Sequence, residues 1–419
     1  MAATAGTLAS PGTIAYLLKR VYSPREVENA VYKDNPLLAL IPKATGFTGE
    51  SHIHAVRYRD QLARNSDFAS AQGTTTDGSR GVLGASKGVQ FIVGRVKNYQ
   101  IYTLETEAIL AGRDDKGSLM RVLTTEVDSA LNNIGRDTAK MLYGDGYGSL
   151  GQVVSTTSVT VVVGEAITNF ENGMILQAAP TSSSTDLRDS TVKTMTIDSI
   201  DRAAGSFTVA TAVITGLAAG DFLFISKDRG ITATAETNKI VGLEGWNPVT
   251  APAALESFFG VDRSVDKTRL GGLRLDISSL NPEEGLITAL ALAAREGAAP
   301  GHFFSSFTDV KNIHLALGSK VETEFTQVGD IGFTSIRING PKGDVRVMAD
   351  QNAPAAVGRL LTLNTWEIKH LGELFNMLDM DGATLSRESS ADRFEGRIAF
   401  YGNMVCYAPG KNMRLVLPS

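Results

Sequence analysis

The strongest constraint on this chain is a change of period near residue 144. From 118 to 143 the apolar residues Leu119, Leu123, Val127, Ala130, Leu131, Ile134, Met141 and Leu142 return at spacings near three and four. That spacing predicts one long amphipathic helix, about 39 Å from end to end at 1.5 Å per residue. Gly144 follows directly and is a natural stop. Beyond it the period drops to two. "SVTVVV", "GMILQA", "KTMTIDSI", "GSFTVAT" and "GDFLFIS" are short β-like runs with turn signals between them: Asn172-Gly173, the Ser/Thr tract at 181–185, Asp201 to Gly205, and Gly220-Asp221. Residues 152–243 therefore predict a small all-β module inserted into the chain.

The same junction carries a chemical motif. Gly146, Gly148 and Gly151 in "GDGYGSLG" fit G-x-G-x-x-G. A dinucleotide loop needs a strand before it and a helix after it, so that the phosphate meets the helix N-terminus. Here a helix comes first and β-like sequence follows. The expectation is a turn between two structural parts, with Gly146, Gly148 and Gly151 letting the chain reverse.

Three other patterns invite chemistry and fail on context. Gly84, Ser86 and Gly88 fit G-x-S-x-G, but they lead into the strand-like "VQFIV" and not a helix, as a nucleophile elbow requires. His52 and His54 share one face of a predicted strand without an evident third ligand, while His302, His314 and His370 form no recognisable spacing. Asp379, Asp381, Gly382 and Glu388 echo positions 3, 5, 6 and 12 of a calcium loop, yet Met377 stands at position 1, where no calcium ligand is possible. No catalytic residue, cofactor or metal site is expected.

The rest of the chain surrounds the long helix. Residues 1–45 form an arm. Ser23-Pro24-Arg25-Glu26 should cap a helix running to about Lys33 with Val27 and Val31 on its apolar face, and Asn35-Pro36 should stop it. Residues 46–104 hold two extended stretches, 52–59 and 88–104, around a polar glycine-rich middle. This reads as a long two-stranded excursion, which is marginal alone in water and should lie against a neighbouring subunit. From 244 to 419 the pattern is mixed α/β. Asn281-Pro282-Glu283-Glu284 should start a helix from 282 to about 296, ended by Gly297. Ser306 should cap a second from Phe307 to Leu317, ended by Gly318. "VRVMA", "LLTL" and "FEGRIAFYGNMVCYA" should be strands. Domain boundaries are therefore expected at 1–45, 46–104, 105–151, 152–243 and 244–419.

Composition narrows the function. The 419 residues suffice for more than one core, and 45 acidic against 40 basic residues give a net charge of -5. That excludes a global basic footprint for tight nucleic-acid binding. Cys406 is the single cysteine, so no intrachain disulfide can form and a reducing cytoplasm suits its synthesis. No apolar run approaches the roughly 20 residues of a membrane span, and the first residues lack the pattern of a signal peptide.

The order of parts resembles that of the major capsid proteins of tailed bacteriophages. "NPLLALIPK" at 35–43 is similar to the segment joining arm and extended loop. Residues 46–98 resemble that loop, 118–143 the long spine helix, and "LYGDGYGSLG" the turn after it. Residues 282–317 resemble the helices of an axial domain, "GDVRVMADQNAP" the strand and turn that follow, and "ESSADRFEGRIAFYGNMVCYAPGKN" the closing strand of a peripheral domain. The resemblance implies an α+β capsid fold with an added all-β insertion domain. It also implies assembly of the chain with itself into pentamers and hexamers, an icosahedral virion shell around double-stranded DNA touched weakly and nonspecifically, and a portal protein at one vertex. With only an arm and loop before the spine helix, a separate scaffolding protein is expected, and a decoration protein is possible within the family. The fold is shared with encapsulins, so a compartment enclosing cargo enzymes is the alternative; the β insertion and the length speak against it.

Overall fold

The long helix is the axis around which the other parts pack. The computed structural model describes residues 35–47, 49–61, 66, 86–105, 120–184, 186–189, 193–228, 238–318, 322–328, 331–378, 386–388 and 391–418. The expected helix of the arm, with Val27 and Val31, lies outside them, as does most of the loop between 60 and 86. The long helix spans Met120–Tyr143. Val127, Ala130, Leu131, Ile134, Ala139, Met141 and Leu142 form its buried side, so the three-four spacing is the face that enters the core. A short helix, Pro36–Leu40, packs beside it through Leu37 and Leu38. The sequence marked Asn35-Pro36 only as the stop of an earlier helix. Proline at the first helical position and burial of the two leucines make five residues of helix sufficient.

The two extended stretches behave differently from expectation. Ser51–Arg59 pairs antiparallel with Lys87–Gly94, as a hairpin should. The second run does not continue as one strand. It breaks at Arg95, whose N–H donates to Glu50 O (3.3 Å), and Val96–Glu105 leaves the hairpin. That strand pairs along ten positions with the long closing strand Arg393–Cys406, from Gly402↔Val96 to Arg393↔Glu105. Asn403 fixes the break: its Nδ2 donates to Gly94 O at 2.8 Å. The closing strand holds Trp366–His370 along its other end, and Lys43–Thr45 runs parallel to Trp366–His370.

The two predicted helices of the second half sit on a seven-stranded mixed sheet. Pro282–Arg295 starts at Asn281, whose side chain accepts from Glu283 N–H, and Phe307–Leu317 starts at Ser306, whose side chain accepts from Asp309 N–H. Gly297 and Gly318 end them in left-handed conformation. The sheet runs in the order Leu273–Asp276, Met413–Val416, Val357–Leu361, His302–Ser305, Gly343–Ala349, Ile331–Gly340, Glu322–Val328. Alternation along its strands serves two cores at once. Phe303, Val347 and Leu360 face the helix pair, while Phe304, Met348 and Leu361 face the core of the long helix.

Residues between Gly151 and Ile225 build a separate seven-stranded antiparallel sheet with its own core, including Val161, Phe170, Leu176, Phe207 and Leu223. The chain enters and leaves it at one place. Lys239 N–H donates to Gly146 O and Gly242 N–H to Gly144 O, both at 3.1 Å, and Asp145 bridges Val241. Gly242 is required by this approach: a Cβ there would stand 2.2 Å from Leu142 O.

Candidate functional site

The glycines of the period change belong to this double crossing. Gly146 and Gly148 have φ of 96° and 82°, a left-handed backbone that glycine adopts without strain. Gly151 opens a two-residue strand, and no helix follows. The turn lines a cavity of about 20 Å³. That volume holds about one water, far too little for a pyrophosphate. Leu150 N–H is committed to Leu223 O (2.9 Å) and Tyr147 N–H to Asp145 Oδ1 (3.2 Å), so these donors face protein.

The other patterns come apart in the same way. Ser86 is exposed, and Lys87 opens a strand where a nucleophile elbow needs a helix; Gly84 lies outside the described residues. Met377 sits in a short strand paired with Ile398, and Glu388 accepts from Arg393 across a turn. Asp379, Asp381 and Gly382 lie outside the described residues. His302 stacks on Phe304 with ring centroids 6.2 Å apart, and His370 Nδ1 hydrogen-bonds Gly372 O at 3.0 Å. His314 stands apart on the Phe307–Leu317 helix.

His52 and His54 do share a strand face, their rings stacked 6.0 Å apart. His54 is 7% exposed and hydrogen-bonds the Cys406 carbonyl oxygen through Nε2 at 3.1 Å. That bond places its proton on Nε2. Burial pulls its pKa down to about 4 and lowers that of His52 as well. Such neutral rings suit either a core or a metal. Among the described residues no third histidine, cysteine or carboxylate joins them in a metal-holding group. Instead His54 packs against Phe91 and Trp246, at 5.5 and 5.8 Å. The pair is the inner wall of the hairpin.

What the hairpin does with its two faces is the most informative feature of the surface. The inner face buries His54, Val56, Phe91 and Val93. Trp246, the first aromatic residue after the inserted sheet, meets Phe91 at 5.2 Å and Phe258 at 5.1 Å, and Ile92 N–H donates to Phe259 O at 3.0 Å. The root is thus clamped. On the outer face Ile53 and Ile92 stand directly opposite each other across the strands, 57% and 50% exposed. Tyr99 and Ile101 continue the apolar exposure on the adjoining strand, and Leu315 and Phe307 show it on the second helix of the seven-stranded mixed sheet. Sequence patterning missed this distribution because β-branched residues on both faces of a strand look the same as a fully buried strand.

No family model matches the chain, and no curated protein matches it. Solved structures do. The chain is similar to the capsid asymmetric unit of cyanophage A-1(L), at 10% identity and a TM-score of 0.47 over 92% of this chain and 93% of that one. It is similar to the capsid of a native GTA particle, at 9% identity and a TM-score of 0.45 over 99% and 97%. It is also similar to the holo-SrpI encapsulin complex of Synechococcus elongatus PCC 7942, at 7% identity and a TM-score of 0.41 over 96% and 92%. Each of these similarities to a solved capsid or encapsulin structure extends over more than nine-tenths of this chain.

Proposed function

We propose that this chain is a shell subunit, the major capsid protein of a tailed bacteriophage. The supporting observation is the two-faced hairpin. One apolar face is clamped on Trp246 while the other presents Ile53 and Ile92 to solvent, on an element too narrow to form a core of its own. A subunit that completes its burial by assembly needs such a surface. The order of parts in the sequence supports the same reading.

On this reading the chain is a structural protein and not an enzyme. It assembles with itself into pentamers and hexamers around double-stranded DNA, with scaffolding, portal and decoration proteins as partners. The net charge of -5 suits a wall that touches packed DNA weakly, since strong attraction would oppose packing and release. An encapsulin-like compartment is the competing reading, and the contents separate the two: DNA in one case, cargo enzyme in the other. Sedimentation velocity of the purified chain, alone and with its scaffolding protein, should show rings or shells. A monomer under every assembly condition would overturn the reading.

A further inference from the structure

One row of side chains across the seven-stranded mixed sheet changes character along its length. On the face toward the long helix, Met348 stands opposite Phe304, and Phe304 opposite Arg359. Arg359 in turn stands opposite Arg414, and Arg414 opposite Arg274 on the outermost strand. Three guanidinium groups occupy neighbouring strands on one face. Like charges directly opposed destabilise a sheet, so the row needs negative charge close by. Glu244 supplies one carboxylate. Its Oε2 accepts from Arg359 Nη2 and from Arg414 Nε, the latter at 3.1 Å, and its Oε1 accepts from Val249 N–H at 3.0 Å. Three positive charges share this one negative charge.

The three arginines are not equally satisfied. Arg274 donates to the carbonyl oxygens of Pro248, Lys267, Gly271 and Gly272, at 2.7, 3.4, 2.6 and 3.0 Å. Those acceptors are dipoles and leave its charge unbalanced. Burial, and then the charges of Arg414 and Arg359, push its guanidinium below the ordinary range, against the pull of Glu244. Arg359 is 1% exposed and donates Nη1–H to Asn247 O at 2.9 Å, but its Nε is buried without a partner. Arg414 is the open member. Glu244 holds its Nε, and among the described residues no acceptor takes the N–H groups of its Nη1 and Nη2. The side chain is only 11% exposed, yet these terminal nitrogens are not sealed off as Nε of Arg359 is.

We propose that the Arg414 fork, backed by Arg359 and Arg274, binds one small inorganic oxyanion of the phosphate class. Two parallel N–H···O bonds, from Nη1 and Nη2 to two oxygens of one ion, are the geometry that an arginine fork favours. Glu244 orients the fork by holding Nε. The ion supplies the negative charge that Glu244 alone does not, and a largely buried cation without a matching anion is costly. A fork buried to this depth admits a single ion and not a polynucleotide, whose sugars would have to follow the phosphate inward.

Titration calorimetry of the full chain with inorganic phosphate, at constant ionic strength set by sodium chloride, tests this. The expected result is one phosphate per chain with a Kd of about 1 mM or tighter. Arg414→Gln removes the fork, leaves Glu244 paired with Arg359, and should weaken binding about tenfold or more. Arg414→Lys keeps the charge without the fork and should weaken it by a smaller factor. Arg397→Gln alters an arginine paired with Glu395 on another sheet and should bind as the parent does. Circular dichroism melting shows which variants are folded. If Arg414→Gln were not, Arg414→Lys would decide. No saturable binding by the parent up to about 10 mM phosphate would overturn the proposal. So would parent-like binding in Arg414→Gln or Arg414→Lys, or a loss in Arg397→Gln equal to that in Arg414→Gln. None of these outcomes bears on the shell reading, which rests on other residues.

Discussion

One buried and one partly buried imidazole give this protein a defined response to acid. Burial lowers the pKa of His54 and of His302 to about 4, and Arg346 adds to the effect at His302. Unfolded, both titrate near 6.5. The unfolded chain therefore binds more protons between these values, and the stability from the neutral rings is complete above about pH 6.5 and lost as pH falls toward 4. Thermal unfolding should show Tm falling across that window, with a shallower slope in His54→Gln and His302→Gln. An unchanged slope in both variants would contradict the assignment. At Gly242 the issue is space. An alanine Cβ would meet Leu142 O at 2.2 Å, whereas at Gly94 nothing lies within 4 Å. Gly242→Ala should cost about 1–3 kcal/mol in denaturant unfolding, and Gly94→Ala close to nothing. Residue-scale features written in neighbouring positions were legible in the sequence. Asn281 and Ser306 cap their helices because a cap reaches only two or three residues ahead. The Glu244–Arg414 contact was not legible, because 170 residues separate its partners and no local pattern marks either one.

At the scale of elements, what was legible followed the strength of the periodic signal. The long helix was clear because its three-four spacing repeats one stripe, buried from Val127 to Leu142. The inserted sheet was clear because its strands are short and punctuated by turns. The apparent strand 88–104 was misjudged. Nothing local distinguishes a strand that changes partners at Arg95 from one that continues, and the change is imposed by Asn403, more than 300 positions away. The hairpin Glu322–Val328 with Ile331–Gly340 went unmarked although Gly329-Asp330 lies between its strands, since threonines and charges dilute the apolar alternation. The functional weight falls on the other hairpin. Replacing Ile53 by aspartate and Ile92 by lysine, opposite charges across the strand pair, should leave monomer stability within about 1 kcal/mol. The same variant should lose assembly, read as the disappearance of fast-sedimenting particles. If the double variant assembled as the parent does, the outer face would not be a subunit contact.

The whole molecule is organised so that distant parts of the chain meet at buried polar centres. Asp350 accepts from Leu37 N–H at 3.3 Å and from Tyr143 Oη at 3.0 Å, tying the short helix, the long helix and the mixed sheet together. Glu244, just past the inserted sheet, pairs with both Arg359 and Arg414, and the two guanidinium groups hold its carboxyl below the usual range against desolvation. Removing one partner from such a centre leaves a buried charge unmatched. A body fastened in this way can be carried as a rigid unit, while the outer face of the hairpin is left for contacts with neighbours. The central claim is that those neighbours are copies of the same chain in a closed shell. Electron cryomicroscopy of particles purified after expression of the full chain tests it most directly. The account predicts closed icosahedral shells with Ile53 and Ile92 of each hairpin buried against an adjacent subunit. Discrete monomers, or shells in which that face remains bare to solvent, would contradict it.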